Sequence, residues 1–287
     1  MRRLSKPDID PGEVYASCVS GVTAADLATR FNAATGEVLA LANLYDGRAN
    51  TSELLLFPSS PWGNGAALVL GELTKDELTA LYTNHMAKRD QPGRPYYDQI
   101  MLLAPLGKCP FCGFGQVSTL DHFLSKARYP SFSVLPINLI PACTDCNKGK
   151  GAGVLDGQNQ IPHPYFEGSR IETDVWLYAS VHETSPATAA FSAIPPDNWP
   201  ADLARRVVNY VRDLNLTTRF AIEAASELAS LSDILSRFET SQLIGEYLSL
   251  IAQTERLHRK NSWKAALYEA LSGSAWYREG GYRRPAA

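Results

Sequence analysis

Four of the five cysteines fall into two Cys-x-x-Cys pairs, Cys109/Cys112 and Cys143/Cys146, with 30 residues between them. Two such pairs in one chain favour a tetrahedral zinc site over buried reduced thiols. A disulfide-stapled secreted protein would be shorter and richer in cysteine. The amino end, Met1 to Asp8, lacks the apolar run of a signal peptide, and no stretch nears 18 uninterrupted apolar residues. A cytoplasmic protein with no membrane span is therefore expected, its thiols reduced and free to bind zinc. Cys18 stands apart, at helical spacing from Val14 and Val22, and is expected to be a small apolar core residue.

At 287 residues the chain exceeds the usual single-domain size. Val14, Cys18 and Val22, then Val38, Leu41 and Leu44, recur at helical spacing and predict short helices in the first 50 residues. The passage Phe57 to Gly65 is rich in Pro, Gly and Ser and breaks the chain. Thr74 followed by Glu77 is a capping-box signature that predicts a helix to about Lys88, stopped by Pro92-Gly93. A further helix is expected over Tyr96 to Leu103. Val175 to Val181 and Ala187 to Ile194 have strand composition and are expected to pair as a hairpin. From Trp199 the chain reads as helical to about Leu271. One apolar stripe is expected at Val207, Val208, Val211 and Leu214, and another at Leu243, Tyr247, Leu250, Ile251 and Leu257. Tyr282 to Pro285 reads as a frayed basic tail.

Between the cysteine pairs lie residues with chemistry. Val117 to Leu120 is a strand candidate that ends on Asp121 and His122. A carboxylate beside an imidazole offers a hard oxygen ligand for a divalent cation and a base that titrates near neutrality. Ser133 to Ile140 reads as a second strand, on an edge because of Pro136. Thr144 is a plausible cap for a short helix carrying Asn147 and Lys150 on one face. Two strands and a helix would thus converge a carboxylate, an imidazole, an amide and ammonium groups. Such a set suits phosphodiester hydrolysis. The whole chain has a net charge of −3, which excludes a chain-wide positive field. From Lys108 to Lys150, however, five basic residues face two acidic ones, so the positive surface is local.

This segment, Cys109 to about Lys150, resembles the HNH endonuclease superfamily, the nucleases with a ββα-metal core. The resemblance rests on Asp121-His122, on Asn138, and on Asn147 directly after Cys146, with both knuckle cysteines inside the nine-residue step from Asn138. Asn147 stands where many family members have His, making a His-Asn-Asn variant. The resemblance implies that His122 is the general base and that Asp121 and Asn147 hold one catalytic Mg²⁺ or Mn²⁺. Asn138 would pin the inter-strand loop and so orient His122. Lys126, Arg128, Lys148 and Lys150 would contact phosphates, and Cys109, Cys112, Cys143 and Cys146 would hold a closed structural zinc.

The expected fold class is α+β, mostly α. Its expected parts are an N-terminal helical region (1–72), a nuclease core (73–166, motif 109–150), a hairpin linker (167–197) and a C-terminal helical domain (198–287). The expected function is a metal-dependent endonuclease that hydrolyses DNA. Helical flanks around a central core also resemble, more weakly, the HNH effectors of bacterial antiphage defence. A partner ATPase, or self-association through the C-terminal helical region, goes with that likeness. The competing readings are a zinc module that binds nucleic acid or protein without cutting, and an RNA-directed nuclease. His163, between two prolines, reads either as a turn histidine or as a residue reaching back to the metal. His85, Arg89, Arg94 and the group Arg256, His258, Arg259 and Lys260 read as solvated helix faces.

Overall fold

The computed structural model describes residues 1–283, so Arg284 and Pro285 of the predicted tail lie outside the described residues. About 52% of the chain is helical, and the strands form two-stranded sheets only, which is the expected mostly α, α+β class. Two compact units are present, Arg2–Glu167 and a second that begins at Gly168.

In the first unit, α1 (Pro11–Ser20), α2 (Ala25–Ala33) and α3 (Thr35–Asn50) precede a short pair of strands, β1 (Leu68–Leu70) and β2 (Leu73–Thr74). Then come α4 (Lys75–His85), α5 (Arg94–Met101), β3 (Thr119–His122), β4 (Leu139–Ala142) and α6 (Thr144–Lys150). Both halves of the predicted capping box form at Thr74 and Glu77, and Arg30 grips the Glu77 carboxylate at 2.6 and 2.9 Å. That guanidinium holds the Glu77 carboxyl down at about 2. Val14, Cys18, Phe31, Leu78, Ile100, Leu120, Val134 and Leu139 share one apolar core. The expected boundary at 72/73 therefore does not separate two bodies. A β-hairpin and one short helix have too little apolar surface to bury alone, and α1 to α5 supply the missing wall. Cys18 sits in that core as expected, and a Cβ on Gly93 would lie 2.6 Å from its Sγ. Burial pushes its thiol up to about 12.

Three apolar faces differ from the predicted ones. On α3 the buried residues are Val38, Ala42, Tyr45 and Ala49, while Leu44 is exposed. A hydroxyl-bearing ring thus takes the inward place that aliphatic spacing assigned to Leu44. The second unit holds α7 (Arg170–Thr173), the hairpin of β5 (Leu177–His182) and β6 (Thr188–Ala193), α8 (Ala201–Asp213), α9 (Leu216–Leu235), α10 (Ser241–His258) and α11 (Trp263–Gly273). On α8, Val207, Val211 and Leu214 are buried as expected, but Val208 is exposed. On α10 the inward residues are Ile244, Leu248 and Ala252; of the predicted stripe, Leu243, Leu250 and Leu257 face outward while Tyr247 and Ile251 are half-buried. The hairpin is no linker, because β5 packs on α11 and β6 on α9 within this unit. No helix among the described residues is long and apolar enough to cross a membrane.

Candidate metal centre and hydrolytic site

The four paired cysteines converge. All are buried, and their sulfurs lie within 4.8 Å of one another. Cys112 Sγ and Cys143 Sγ are 3.8 Å apart, nearly twice the length of a disulfide. Four Zn–S bonds of about 2.3 Å at tetrahedral angles put neighbouring sulfurs about 3.8 Å apart, so the cluster can hold a zinc ion. The first knuckle is a tight turn in which Gly113 N–H donates to the Cys109 carbonyl and Cys109 N–H to the Gly115 carbonyl. Gly115 N–H also donates to Cys112 Sγ at 3.3 Å. A Cβ on Gly115 would stand 3.0 Å from Cys143 Sγ, a tight approach that a side chain would relieve only by shifting the cysteine. The second pair straddles the start of α6, with Cys143 at its N-cap. Hydrogen bonding from Cys109 holds the Cys112 thiol down at about 6 and Cys143 lower still, while Cys109 and Cys146 are pushed up. Without a cation the cluster shares its protons; with Zn²⁺ all four sulfurs can ligate as thiolates.

Alongside lies the ββα element. β3 and β4 are antiparallel, with Asp121 opposite Ile140 and His122 opposite Leu139, and α6 packs on β3. Asp121 and His122 are within the strand rather than just past it. β4 begins only at Leu139, because Pro136 opens a one-turn 3₁₀ helix over Pro136–Asn138 instead of extending a strand. Thr144 is the first residue of α6 rather than its cap, and its hydroxyl pairs with Ser118 Oγ at 3.0 Å.

Asn138, fully buried, is the clamp of the loop between the strands. Its Oδ1 accepts from Leu124 N–H at 2.7 Å, and its Nδ2 donates to the carbonyls of Leu124 (3.1 Å) and Phe132 (3.0 Å). The same loop presents the Ser133 carbonyl to His122 Nε2 at 2.8 Å. A carbonyl only accepts, so Nε2 carries the proton and Nδ1 of the neutral ring is left as the acceptor. His122 is 7% exposed and packs edge-on against Tyr82, 4.4 Å between centroids. Burial, with the nearby Lys126 charge, pulls its pKa down to about 3, so the ring is neutral at neutral pH.

Asp121 is 3% exposed, and burial raises its pKa. Lys150 answers it: Nζ lies 3.1 Å from Oδ1 and 3.0 Å from Oδ2, and it also donates to the His122 carbonyl. Only the Oδ1 contact has hydrogen-bond geometry, which leaves the buried Oδ2 without a hydrogen bond. Lys150 thus faces inward rather than toward a phosphate backbone, because an uncompensated carboxylate at this depth is costly. Asn147, half-buried one residue past Cys146, makes no side-chain hydrogen bond within the described chain. The other expected phosphate contacts are spread out. Lys126 donates to Thr83 Oγ1 at 2.8 Å, Arg128 to Ser59 Oγ at 3.3 Å, and Lys148 is exposed.

Two residues complete the site without a sequence signal for the role. Tyr45 donates from its hydroxyl to Asn138 Oδ1 at 3.0 Å and lies 3.3 Å from His163 Nε2. Tyr165 N–H donates to His163 Nδ1 at 3.2 Å, so His163 Nε2 carries the proton and points at Tyr45. His163 is buried, and its hydrogen bonds serve the Asn138 clamp rather than a metal. Its flanking prolines mark a turn, but its partner is more than 100 residues away in sequence. His85 is bonded to Gln91, Arg94 to Asp98 and the Ala87 carbonyl, and Arg256 to Glu269 and the Lys260 carbonyl.

Fold and site together define a mostly helical α+β protein built on a buried four-cysteine centre able to hold zinc. No family model and no solved structure matches the chain. It is 31% identical over 292 residues to Protein ea31 of Escherichia phage lambda, across 96% of this chain and 98% of that protein. The chain belongs to the family of that phage protein.

Proposed function

We propose that the protein is an HNH-type endonuclease that hydrolyses DNA phosphodiester bonds, with Cys109, Cys112, Cys143 and Cys146 holding a structural zinc. The observation that carries this reading is the neutral His122 ring, fixed through Nε2 on Ser133 by the Asn138 clamp, beside the buried carboxylate of Asp121. In that tautomer Nδ1 accepts the proton of an attacking water, and the rigid loop keeps the ring from turning. Asp121 and Asn147 would hold the catalytic Mg²⁺ or Mn²⁺. The donor set fits a hard cation: an ammonium already sits 3.0–3.1 Å from both Asp121 oxygens as a stand-in charge, and the Asn147 amide is unengaged. When bound, such an ion supplies charge for the scissile phosphate and the leaving oxygen. Lys150 then gives up the carboxylate and is freed, with Lys148, for the phosphate backbone.

The same Lys150–Asp121 pair favours one rival, a zinc module that binds nucleic acid without cutting, since a lysine can satisfy Asp121 permanently. An RNA-directed nuclease uses the same groups. Plasmid nicking with Mg²⁺ separates these readings: wild type cuts, and His122→Ala does not, at equal zinc content and melting temperature. Equal activity in both proteins removes His122 from the mechanism, and no activity in either leaves the binding module. Competition between DNA and RNA identifies the polymer. A role in antiphage defence or restriction, beside a partner ATPase or a second copy of the chain, fits this activity. The outward leucines of α10 are the residues such an assembly would use.

A further inference from the structure

The loop from Phe57 to Gly65, so far only a break between helices, is anchored at several points and yet exposes its largest side chain. Ser60 N–H donates to the Arg128 carbonyl at 2.7 Å, and Arg128 Nη2 donates to Ser59 Oγ. Lys75, itself buried, donates its ammonium to the Pro61 carbonyl at 2.7 Å. At the far end Asp76 N–H donates to the Gly65 carbonyl at 3.0 Å, and a Cβ on Gly65 would overlap the Asp76 carboxylate. Between these ties Trp62 is 67% exposed. The anchored loop thus holds an indole face open to solvent, in a chain whose other four tryptophans are buried or half-buried, and such a face can stack on a nucleobase.

Arg128 says what that partner carries. Its guanidinium is half-buried, its Nε is buried without a hydrogen bond, and among the described residues no carboxylate pairs with it. Its one side-chain bond, to Ser59, is long and neutral. A half-exposed guanidinium with no carboxylate partner among the described residues has N–H donors that a phosphate can take up. Ser59 is three residues from Trp62, at most about 11 Å of extended chain, which is within the reach of one or two nucleotides. Arg128 also belongs to the clamped loop whose Ser133 carbonyl holds His122.

We propose that the 57–65 loop and Arg128 form a platform for unpaired nucleic acid, with the Trp62 indole stacking on a nucleobase and Arg128 holding the adjoining phosphate. The inference rests on the nuclease reading for its consequence: the preferred substrate is DNA with an unpaired strand beside the scissile bond. Stacking is blind to sequence, because every base has a π-face, so the platform selects strandedness rather than sequence.

The test is binding without divalent cation, read by fluorescence anisotropy on a short oligothymidylate and on a duplex of equal length. Trp62→Ala, at an exposed site, should melt as wild type does and bind the oligothymidylate roughly tenfold more weakly, with duplex binding unchanged. Trp62→Phe should keep most of the affinity, and the quenching of tryptophan emission by the oligothymidylate should vanish in it. Arg128→Gln should weaken binding and lower the salt slope by about one. Unchanged oligothymidylate binding by Trp62→Ala, or equal losses on both polymers, would overturn the platform. Trp62-dependent binding by a wild-type protein that never nicks DNA would keep the platform and remove the nuclease reading. Nicking with Trp62-independent binding would do the reverse.

Discussion

Replacing Asn138 by Ala tests whether one buried carboxamide holds the inter-strand loop and, through it, His122. The side chain makes four hydrogen bonds between 2.7 and 3.1 Å with no solvent exposure. Alanine removes two acceptor and two donor contacts. Tyr45 still accepts from His163 and the Phe132 carbonyl keeps the Leu135 N–H, but the Tyr45 O–H, the Leu124 N–H and the Leu124 carbonyl are stranded. At about 1–3 kcal/mol for each stranded buried group, less some relief from local opening, the loss is about 3–5 kcal/mol. That is a large share of the about 5–15 kcal/mol that stabilises a domain. Urea unfolding reads the loss directly, and hydrogen exchange at the Leu124 amide reports whether the loop opens before the rest. Ring nitrogen chemical shifts of His122 show whether the Nε2-protonated tautomer persists. Refutation would be a loss below about 1 kcal/mol with Leu124 still protected and the His122 tautomer unchanged.

Three further outcomes follow from the same geometry. Cys143→Ser, or zinc removal by a chelator, should unfold the first unit, since structural zinc is worth about 10–16 kcal/mol of apparent free energy; calorimetry on the zinc-free protein checks this, and native-like melting would contradict it. Lys150→Met leaves Asp121 buried without its cation and should destabilise by about 3–5 kcal/mol, whereas adding Asp121→Asn should restore most of that; additive losses in a double-mutant cycle would deny the coupling. Stability should fall with pH through the histidines. The His122 pKa is lowered from 6.5 to about 3, so its contribution is full above pH 6.5 and declines as pH drops toward 3. His163, also lowered by burial, acts in the same direction. Asp121, with its raised pKa, acts in the opposite direction above its unfolded value of 3.8. Against wild type, His122→Gln should therefore remove the part of the stability loss that His122 contributes as pH drops below 6.5; a pH slope unchanged in the variant would place the titration elsewhere.

The sequence alone determined what local spacing can encode. Two Cys-x-x-Cys pairs, Asp121 next to His122, Asn147 next to Cys146 and the Thr74/Glu77 capping box each depend on residues a few positions apart, where chain geometry leaves little choice. The strand boundaries around Pro136 shifted because a fixed φ serves a 3₁₀ turn as well as an edge strand. Tertiary structure decided the rest. Aliphatic periodicity cannot say which of two apolar faces turns inward, and on α10 Ile244, Leu248 and Ala252 prevail over the leucines at positions 243, 250 and 257. Nor does it mark Tyr45, whose ring fills the core while its hydroxyl reaches Asn138, 93 residues on. Lys150 reads as a surface cation until the fold buries Asp121 beside it; desolvation of that carboxylate, a property of the folded interior rather than of the chain, turns the lysine inward.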